Sequence, residues 1–317
     1  MNKIESVGVV GLGFLGRGIA ACLLAHGYRV VAYAQPGSDD ITAYIQHAMN
    51  ELVTRGGFPE ALRSEWMARF EPVSDLKQLA NVDFVIESVA EDAEIKGGVY
   101  DELERHLPDH VPIATNTSSL PISRLAERRR VPQRFLGMHW AEPAYATRFL
   151  ELIRAEQTSD EAFQQAIELG IGVGKQPSIV QKDVPAYIVN RLGYAMYREA
   201  MHLVEAGVAD VPTIDRAFRN AIGLWAAFAG PFRWIDLTGG PALYGKAMQN
   251  VLPSLSNSTQ LPAFVEALMD EDARGVANRR GFYNYTDEQI KQWEHCLREA
   301  VWQVRAWTDE IVPKEEQ

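Results

Sequence analysis

One histidine and one glutamate stand in two stretches that alternate like β-strands. His139 lies within "FLGMHW" (135–140), and Glu151 lies within "FLELI" (149–153). Apolar residues at every second position predict strands with at least one buried face. Because a buried carboxylate is costly without a compensating partner, we expect Glu151 to pair with His139. A His–carboxylate pair is suited to proton transfer near neutral pH.

Two further polar groups are predicted at the same edge of the fold. Ser118 belongs to "NTSS" (116–119), which ends a predicted strand, and ligands of open α/β sheets bind at the carboxyl ends of strands. Asn190 begins the first helix beyond the predicted sheet. Taken singly, Ser118 is more simply a helix cap, His139 a buried core histidine and Asn190 an interhelical hydrogen bonder. Their shared placement favours a catalytic site.

A glycine-rich turn follows the first predicted strand. The segment "GLGFLG" sets Phe14 and Leu15 among Gly11, Gly13 and Gly16, directly before a helical pattern. Glycines at this spacing permit a tight turn and let the backbone approach a pyrophosphate at a helix N-terminus. The motif therefore predicts a dinucleotide site, with a plain strand–helix turn as the alternative interpretation.

The end of the second predicted strand bears on the choice of nucleotide. Ala34 stands where an aspartate would hold the ribose hydroxyls, and Gln35, which is able to bond a ribose hydroxyl, follows it. The missing acid removes the repulsion of a 2′-phosphate, but no arginine follows to bind one. We expect NAD as the cofactor, with NADP as the alternative.

Strand-like runs rich in Val and Ile alternate with helical patterns through the first half of the chain. This alternation predicts an α/β Rossmann domain over residues 1–182, with a doubly wound, mostly parallel sheet. Residues 41–71 are predicted to form a helical hairpin inserted into that domain. Only helical patterns follow, which predicts an all-α domain over residues 183–317. The predicted strands cover residues 6–13, 29–34, 83–89, 111–118, 134–140 and 149–155.

Composition excludes several classes of protein. The net charge is −11 and no basic block exceeds Arg128–Arg130, which argues against nucleic acid and anionic membranes as partners. Cys22 and Cys296 are isolated, so we expect a reducing compartment and no metal site. Neither a cleavable leader nor a membrane-length apolar run is evident. These features predict a soluble, cytoplasmic protein.

The chain resembles the 3-hydroxyacyl-CoA dehydrogenase family over nearly its whole length. The first motif, "GLGFLGRGIA" (11–20), also suits dehydrogenases of the 3-hydroxyisobutyrate or 6-phosphogluconate type. The more specific features are the twelve-residue spacing from His139 to Glu151 and "KDVPAYIVNR" (182–191). The motifs "ESVAEDAEIK" (87–96) and "NTSS" complete the resemblance.

This resemblance implies an NAD-dependent oxidation of a hydroxyl group. His139 matches the general base, and Glu151 matches the carboxylate that orients it. Ser118 and Asn190 match the groups that hydrogen-bond the reacting oxygen. The resemblance also implies a homodimer formed through the helical domain.

Three further residues belong to the predicted cofactor site. Glu91 and Lys96 match family positions near the nicotinamide ribose, and we place Asn116 with them. Together with the glycine turn and Gln35, they complete the predicted NAD-binding set.

Departures from the acyl-CoA members of the family favour a small free hydroxy acid as substrate. Glu142 stands where those members usually carry an asparagine, and the chain continues well beyond "GFY" (281–283). Residues 41–71 hold three arginines, no lysine and four glutamates, so they offer little positive charge to coenzyme A phosphates. These features resemble relatives that act on L-gulonate (lambda-crystallin), carnitine or pyridine carboxylates.

Three charged residues are candidate substrate ligands. Glu142 is expected either to raise the pKa of His139 or to contact a substrate hydroxyl or cation. Arg148 and Arg233 suit a bidentate contact with a carboxylate, although each equally suits a solvated surface. Two alternatives to a small-acid dehydrogenase remain: a short-chain 3-hydroxyacyl-CoA dehydrogenase, and a catalytically silent NADH-binding protein of lambda-crystallin type.

Overall fold

Two compact units make up the chain, and they divide between Asn190 and Arg191. The computed structural model describes residues 3–34 and 41–313. The first unit is built on an eight-stranded sheet, and the described part of the second unit contains helices and isolated β-bridges. The predicted Rossmann fold followed by a helical region is therefore confirmed.

The sheet has the strand order β3-β2-β1-β4-β5-β6-β7-β8. Strands β1 to β6 are parallel to one another, β7 pairs antiparallel with β6, and β8 runs parallel to β7. Inner strands such as β1 are buried along their whole length, as expected where helices cover both faces of a sheet. The strand bounds are β1 Ser6–Val10, β2 Arg29–Tyr33, β3 Phe70–Val73, β4 Phe84–Glu87, β5 Ile113–Thr115, β6 Phe135–Trp140, β7 Phe149–Ile153 and β8 Gln176–Val180.

Helices occur in both units of the chain. In the first unit they are α1 Phe14–Ala25, α2 Ile41–Arg55, α3 Leu62–Glu65, α4 Ala93–His106, α5 Ile122–Ala126 and α6 Asp160–Gly172. Helix α7, Val189–Glu205, begins in the first unit and continues into the second. The second unit adds α8 Val211–Asn220, α9 Ile222–Ala226, α10 Pro231–Leu237, α11 Gly240–Val251, α12 Ala263–Asp270 and α13 Asp287–Ile311.

Both strands that the sequence pattern missed lie at the edges of the sheet. The insert was expected to be a helical hairpin through residue 71, but only its first helix, α2, is long. After α3, a 3₁₀ turn (66–69) leads directly into β3. Strands β3 ("FEPV") and β8 ("QPSIV") are short and partly exposed, and each contains a proline. Edge strands tolerate proline and lack a fully apolar pattern, so periodicity does not reveal them.

The second unit exposes much of its apolar surface. Among its described residues, the buried apolar side chains are those of Ala229, Val265 and Trp302. Most of the large apolar side chains that are exposed belong to this unit, and Phe232 is 82% exposed. In the described part of the chain, no helix combines the length and the apolarity needed to cross a membrane.

We predict that Gly137→Ala destabilises the first unit. A Cβ atom at position 137 of β6 would lie 2.9 Å from the Ile153 Cβ atom and 3.0 Å from the Ile122 Cδ1 atom. Overpacking of this kind typically costs about 1–3 kcal/mol in the free energy of unfolding. Urea denaturation of the variant and the parent protein measures the difference.

Gly98→Ala on helix α4 is the matched control. Apart from the adjacent residues and the backbone of α4 itself, no described atom lies within 4 Å of a Cβ atom built at that position. Alanine there should leave the stability unchanged or raise it by up to about 1 kcal/mol. Equal effects of the two substitutions would contradict the packing argument.

Candidate functional site

The glycine turn between β1 and α1 has room only for glycine at two positions. Gly11 adopts a φ of +93°, and a Cβ atom there would lie 2.6 Å from the Ser88 carbonyl oxygen. At Gly16 a Cβ atom would lie 1.9 Å from the Gly11 carbonyl oxygen. The chain can therefore turn sharply from β1 into α1 only with these glycines.

The turn leaves the first N–H groups of α1 open to a ligand. Gly13 is the N-cap of α1 and offers no side chain to those N–H groups, and no described atom beyond its two chain neighbours lies within 4 Å of its Cβ position. Phe14 is 65% exposed beside it, and Leu15 is half-buried. Free N–H groups at a helix N-terminus fit the pyrophosphate of NAD. Gln35 lies outside the described residues, directly after Ala34 at the end of β2.

His139 and Glu151 face each other across the antiparallel β6–β7 pair. They are directly opposite in the strand register, and the His139 Nδ1 atom lies 2.8 Å from the Glu151 Oε2 atom. Both side chains are buried. When the Nδ1–H group donates a hydrogen bond to Glu151, the neutral ring presents the lone pair of Nε2. Nε2 is thus the nitrogen that is able to accept a proton.

The second oxygen of Glu151 binds the start of helix α7. Its Oε1 atom accepts hydrogen bonds from the N–H groups of Ile188 (3.0 Å) and Val189 (2.9 Å). Burial alone would raise the pKa of Glu151, but the bonds from His139, Val189 and Ile188 outweigh it and hold the pKa below its usual value. Glu151 therefore remains a carboxylate at neutral pH.

Glu91 organises the turn that carries Ser118. The Glu91 Oε1 atom accepts hydrogen bonds from the Thr117 hydroxyl (2.6 Å), the Ser118 N–H (2.9 Å) and the Ser119 N–H (3.0 Å). The Asn190 amide donates to the Ser118 carbonyl at 3.2 Å. Burial acts to raise the pKa of Glu91, and the bonds from residues 117–119 lower it overall. The structure thus brings Ser118 and Asn190 together.

Lys96 lies beneath this turn in a fully buried polar cluster. Its ammonium nitrogen lies 2.8 Å from the Glu87 Oε1 atom and 3.7 Å from the Glu91 Oε2 atom. The other oxygen of Glu87 accepts bonds from the hydroxyls of Tyr100 (2.6 Å) and Thr115 (2.7 Å). Lys96 is therefore engaged with the two glutamates, and it supports Glu91 from below.

Asn116 joins the ends of three strands. Its amide nitrogen donates to the Ser88 hydroxyl at 3.0 Å, and its oxygen accepts the Trp140 N–H at 3.0 Å. Asn116 follows β5, Ser88 follows β4 and Trp140 ends β6. The Asn116 side chain therefore connects β6, which carries His139, to the segment after β5 that carries Ser118.

Sequence reasoning did not identify the aromatic residues around His139. The rings of Phe149 and Tyr187 lie 5.5 Å and 5.8 Å from the imidazole centroid. Tyr187 adopts a φ of +52°, and its hydroxyl donates to the Leu120 carbonyl at 3.0 Å. Tyr187 lies within "KDVPAYIVNR", but sequence periodicity reveals neither its positive φ nor its contact with His139, which is distant in the chain. Glu87, at the start of "ESVAEDAEIK", was missed for the same reason.

The three candidate substrate ligands have different surroundings. The Glu142 carboxylate accepts a hydrogen bond from the Tyr44 hydroxyl at 3.0 Å, and the pKa of Glu142 is raised by burial. Glu142 therefore binds the insert helix, whereas His139 has Glu151 as its carboxylate partner. Arg148 directly precedes β7, where its carbonyl accepts the Gln176 N–H at 2.9 Å. Arg233 is exposed on helix α10 of the second unit.

Comparison with protein families covers both units. The model of the 3-hydroxyacyl-CoA dehydrogenase NAD-binding domain matches residues 6–184, and the model of its C-terminal domain matches residues 187–285. These matches include the glycine turn, the His139–Glu151 pair and the start of α7.

Characterised relatives act on both free acids and CoA esters. The 5-formyl-3-hydroxy-2-methylpyridine 4-carboxylate 5-dehydrogenase of Mesorhizobium japonicum is 31% identical over 91% of this chain and 93% of its own length. L-Carnitine dehydrogenase of Burkholderia mallei is 30% identical over 96% of this chain and 94% of its own. 3-Hydroxyadipyl-CoA dehydrogenase of Escherichia coli is 30% identical over 99% of this chain, which spans 64% of that longer protein.

A solved structure supports the same relationship. The NAD⁺-dependent 5-formyl-3-hydroxy-2-methylpyridine 4-carboxylic acid 5-dehydrogenase superposes with a TM-score of 0.91 at 30% identity. The superposition covers 97% of this chain and 99% of the other. Because the family models span both units and the glycine turn fits NAD, the chain belongs to the 3-hydroxyacyl-CoA dehydrogenase family as an NAD-dependent oxidoreductase of CH–OH groups.

Proposed function

We propose that this dehydrogenase oxidises the 3-hydroxyl of a small free hydroxy acid to a ketone. The observation that carries the proposal is the buried His139–Glu151 pair, at 2.8 Å, on the same sheet edge as Ser118. NAD, held at the glycine turn, supplies the hydride acceptor when it is bound. The protein must then remove the hydroxyl proton and hold the reacting oxygen.

The chain provides a group for each of these tasks. His139 Nε2 takes the proton of the substrate hydroxyl, while Glu151 stabilises the imidazolium that forms. The Ser118 hydroxyl and the Asn190 amide hydrogen-bond the reacting oxygen. Glu91 holds Ser118 in place. Asn116 belongs to the proposed NAD-binding set. A catalytically silent NADH-binding role would not require this arrangement.

The charge distribution of the insert favours a free acid over a CoA ester. The Arg63 guanidinium bonds Glu60 and Asn50, and Arg69 donates to the Leu24 carbonyl. Arginines engaged in this way are less available to the several phosphates of coenzyme A. Arg148 stays a predicted ligand for a substrate carboxylate. A short-chain 3-hydroxyacyl-CoA is the second candidate, because one of the relatives acts on 3-hydroxyadipyl-CoA.

We expect an NADH-formation screen to rank free hydroxy acids above CoA esters. The panel holds gulonate, carnitine and free hydroxy acids with a pyridine ring or a short chain, beside 3-hydroxybutyryl-CoA. The absorbance of NADH reports turnover, and the same panel with NADP tests the cofactor preference. Turnover of the CoA ester alone would reverse the substrate assignment, and turnover of none would favour the silent role.

We expect His139→Ala to lower turnover by about 10²–10⁴-fold, the usual contribution of a general base. NAD affinity, measured by calorimetric titration, should stay nearly unchanged because His139 is not one of the residues that are proposed to bind NAD. His106→Ala is the control, since His106 pairs with Glu102 at 2.9 Å on the outside of α4. Near-normal turnover in His139→Ala would remove this residue from the mechanism.

We also propose that the chain forms a homodimer through its second unit. That unit buries few apolar side chains of its own among the described residues, and Leu224, Phe232 and Leu297 are each more than half exposed. Exposed apolar surface on this scale marks a protein–protein contact. A second copy of the same chain is the simplest partner, because most oligomers of soluble proteins pair identical surfaces.

Sedimentation equilibrium should therefore give a mass about twice the 35.4 kDa of the chain. Leu224→Asp should shift the equilibrium toward the monomer if its surface lies in the contact. Ile171→Asp is the control, because Ile171 is an exposed apolar residue of the first unit. A monomer at micromolar concentration in the unmodified protein would contradict the proposal.

A reducing, cytoplasmic location fits the cysteines. Cys22 is buried and Cys296 is exposed, and neither forms a disulfide within the described part of the chain. Exposed free thiols persist in reducing compartments. We therefore keep the cytoplasm as the proposed location.

A further inference from the structure

Glu142 takes no part in the chemistry proposed above, although it lies three residues beyond His139. It belongs to the turn (141–148) that joins β6, which carries His139, to β7, which carries Glu151. Its carboxylate accepts a hydrogen bond from the hydroxyl of Tyr44, which lies 98 residues away on helix α2 of the insert. The environment of Glu142 is thus decided by the insert.

A second bond joins the same two elements in the opposite direction. The Tyr145 hydroxyl of the turn donates to the Glu51 Oε2 atom of α2 at 2.6 Å, and both residues are buried. Each element therefore contributes one tyrosine and one glutamate. Glu51 lies seven residues after Tyr44, two helical turns along the same face of α2. The rings of Tyr44 and Tyr145 meet edge to face, with centroids 6.2 Å apart.

The space around the first pair is closely packed. A Cβ atom on Gly18 of α1 would lie 3.1 Å from the Ala144 Cβ atom, and 3.3 Å from both the Glu142 Oε2 atom and the Tyr44 hydroxyl. The Arg17 guanidinium lies 4.3 Å from the centre of the Tyr44 ring. Helices α1 and α2 therefore meet the turn at Gly18, where an added methyl group would be in tighter contact than ordinary packing allows.

The turn is held from its other side by a buried lysine. The Lys175 ammonium bonds the carbonyls of Ala144 and Thr147, and it lies 5.0 Å from the centre of the Trp140 ring. Lys175 thus holds the turn, and the tyrosine–glutamate bonds connect α2 to it.

We propose that the pairs Tyr44–Glu142 and Tyr145–Glu51 form a clasp that fixes α2 as a wall of the site beside His139. In this proposal Glu142 is a positioning residue that acts through Tyr44, without contact to the substrate or the imidazole. The kinetic part of the proposal rests on the proposed function, because it needs a hydroxy acid that is turned over. The structural part, which is that the two pairs hold α2 against the turn, does not depend on the proposed function.

The clasp predicts a particular division between binding and chemistry. The His139–Glu151 bond is held by the β6–β7 ladder, by the α7 N-terminus and by Asn116, all independent of α2. Loosening the wall should therefore weaken substrate binding and leave proton transfer intact. KM rises while kcat and its pH profile stay as they were.

The experiment compares Tyr44→Phe, Glu142→Ala, the double variant and Glu142→Gln in the full-length protein. Tyr44→Phe and Glu142→Ala should each raise KM about tenfold, the effect of losing one buried hydrogen bond to a charged group. The double variant should be no worse than either single one, because both remove the same bond. Glu142→Gln keeps a carbonyl acceptor for the Tyr44 hydroxyl, so its KM should rise much less than that of Glu142→Ala.

Hydrogen exchange of the α2 amides supplies a readout that needs no substrate. Exchange should quicken in Tyr44→Phe and in Tyr145→Phe, which breaks the other half of the clasp. Tyr28→Phe is the matched control, since Tyr28 directly precedes β2 and belongs to neither pair. Unchanged exchange in both clasp variants would overturn the proposal even if no hydroxy acid were oxidised.

Two kinetic outcomes would also overturn it. If Glu142→Ala shifts the pH profile or changes substrate preference while Tyr44→Phe does neither, Glu142 acts directly on His139 or on the substrate. If the two single effects add in the double variant, the residues act separately. Failure of every hydroxy acid in the screen would count against the proposed function alone.

Discussion

The carboxylate of Glu151 is the charge around which the site is arranged. It is almost completely buried, and a buried carboxylate without donors would destabilise the fold by several kcal/mol. One of its oxygens binds the imidazole of His139, and the other takes two N–H groups at the start of α7. The same side chain therefore orients the proposed base and anchors the helix that brings Asn190 to Ser118.

A second buried charge supports the opposite side of the site in a similar way. Lys96 has no exposed surface, and Glu87 satisfies it within a cluster that also holds Tyr100 and Thr115. Above it, Glu91 gathers the polar groups of residues 117–119. The serine turn and the histidine strand are thus held by separate networks, with Asn116 as the link. Such networks make the geometry rigid only when each member has its partners.

Helix α2 of the insert is bonded to the turn that joins the strands of His139 and Glu151. Relatives named for CoA esters and for free acids share the family, so their common features do not select the substrate. In the clasp proposed above, α2 meets the turn between β6 and β7 through Glu142 and Tyr145. The second unit leaves many large apolar side chains exposed, and the proposed homodimer would cover part of that surface.

Features that depend on local rules could be predicted from the amino-acid sequence. The glycine turn follows from the spacing of Gly11, Gly13 and Gly16, the strands from period-two and apolar patterns, and the His139–Glu151 pair from the cost of a buried acid in a strand. The tertiary structure alone decided which residues meet across long separations: Tyr44 with Glu142, Lys96 with Glu87, and α7 with Glu151. It also placed the edge strands β3 and β8, whose short, proline-containing segments carry no clear period. The physical reason is that periodicity reports which face of an element is buried, whereas the partner on that face is chosen by packing of the whole chain.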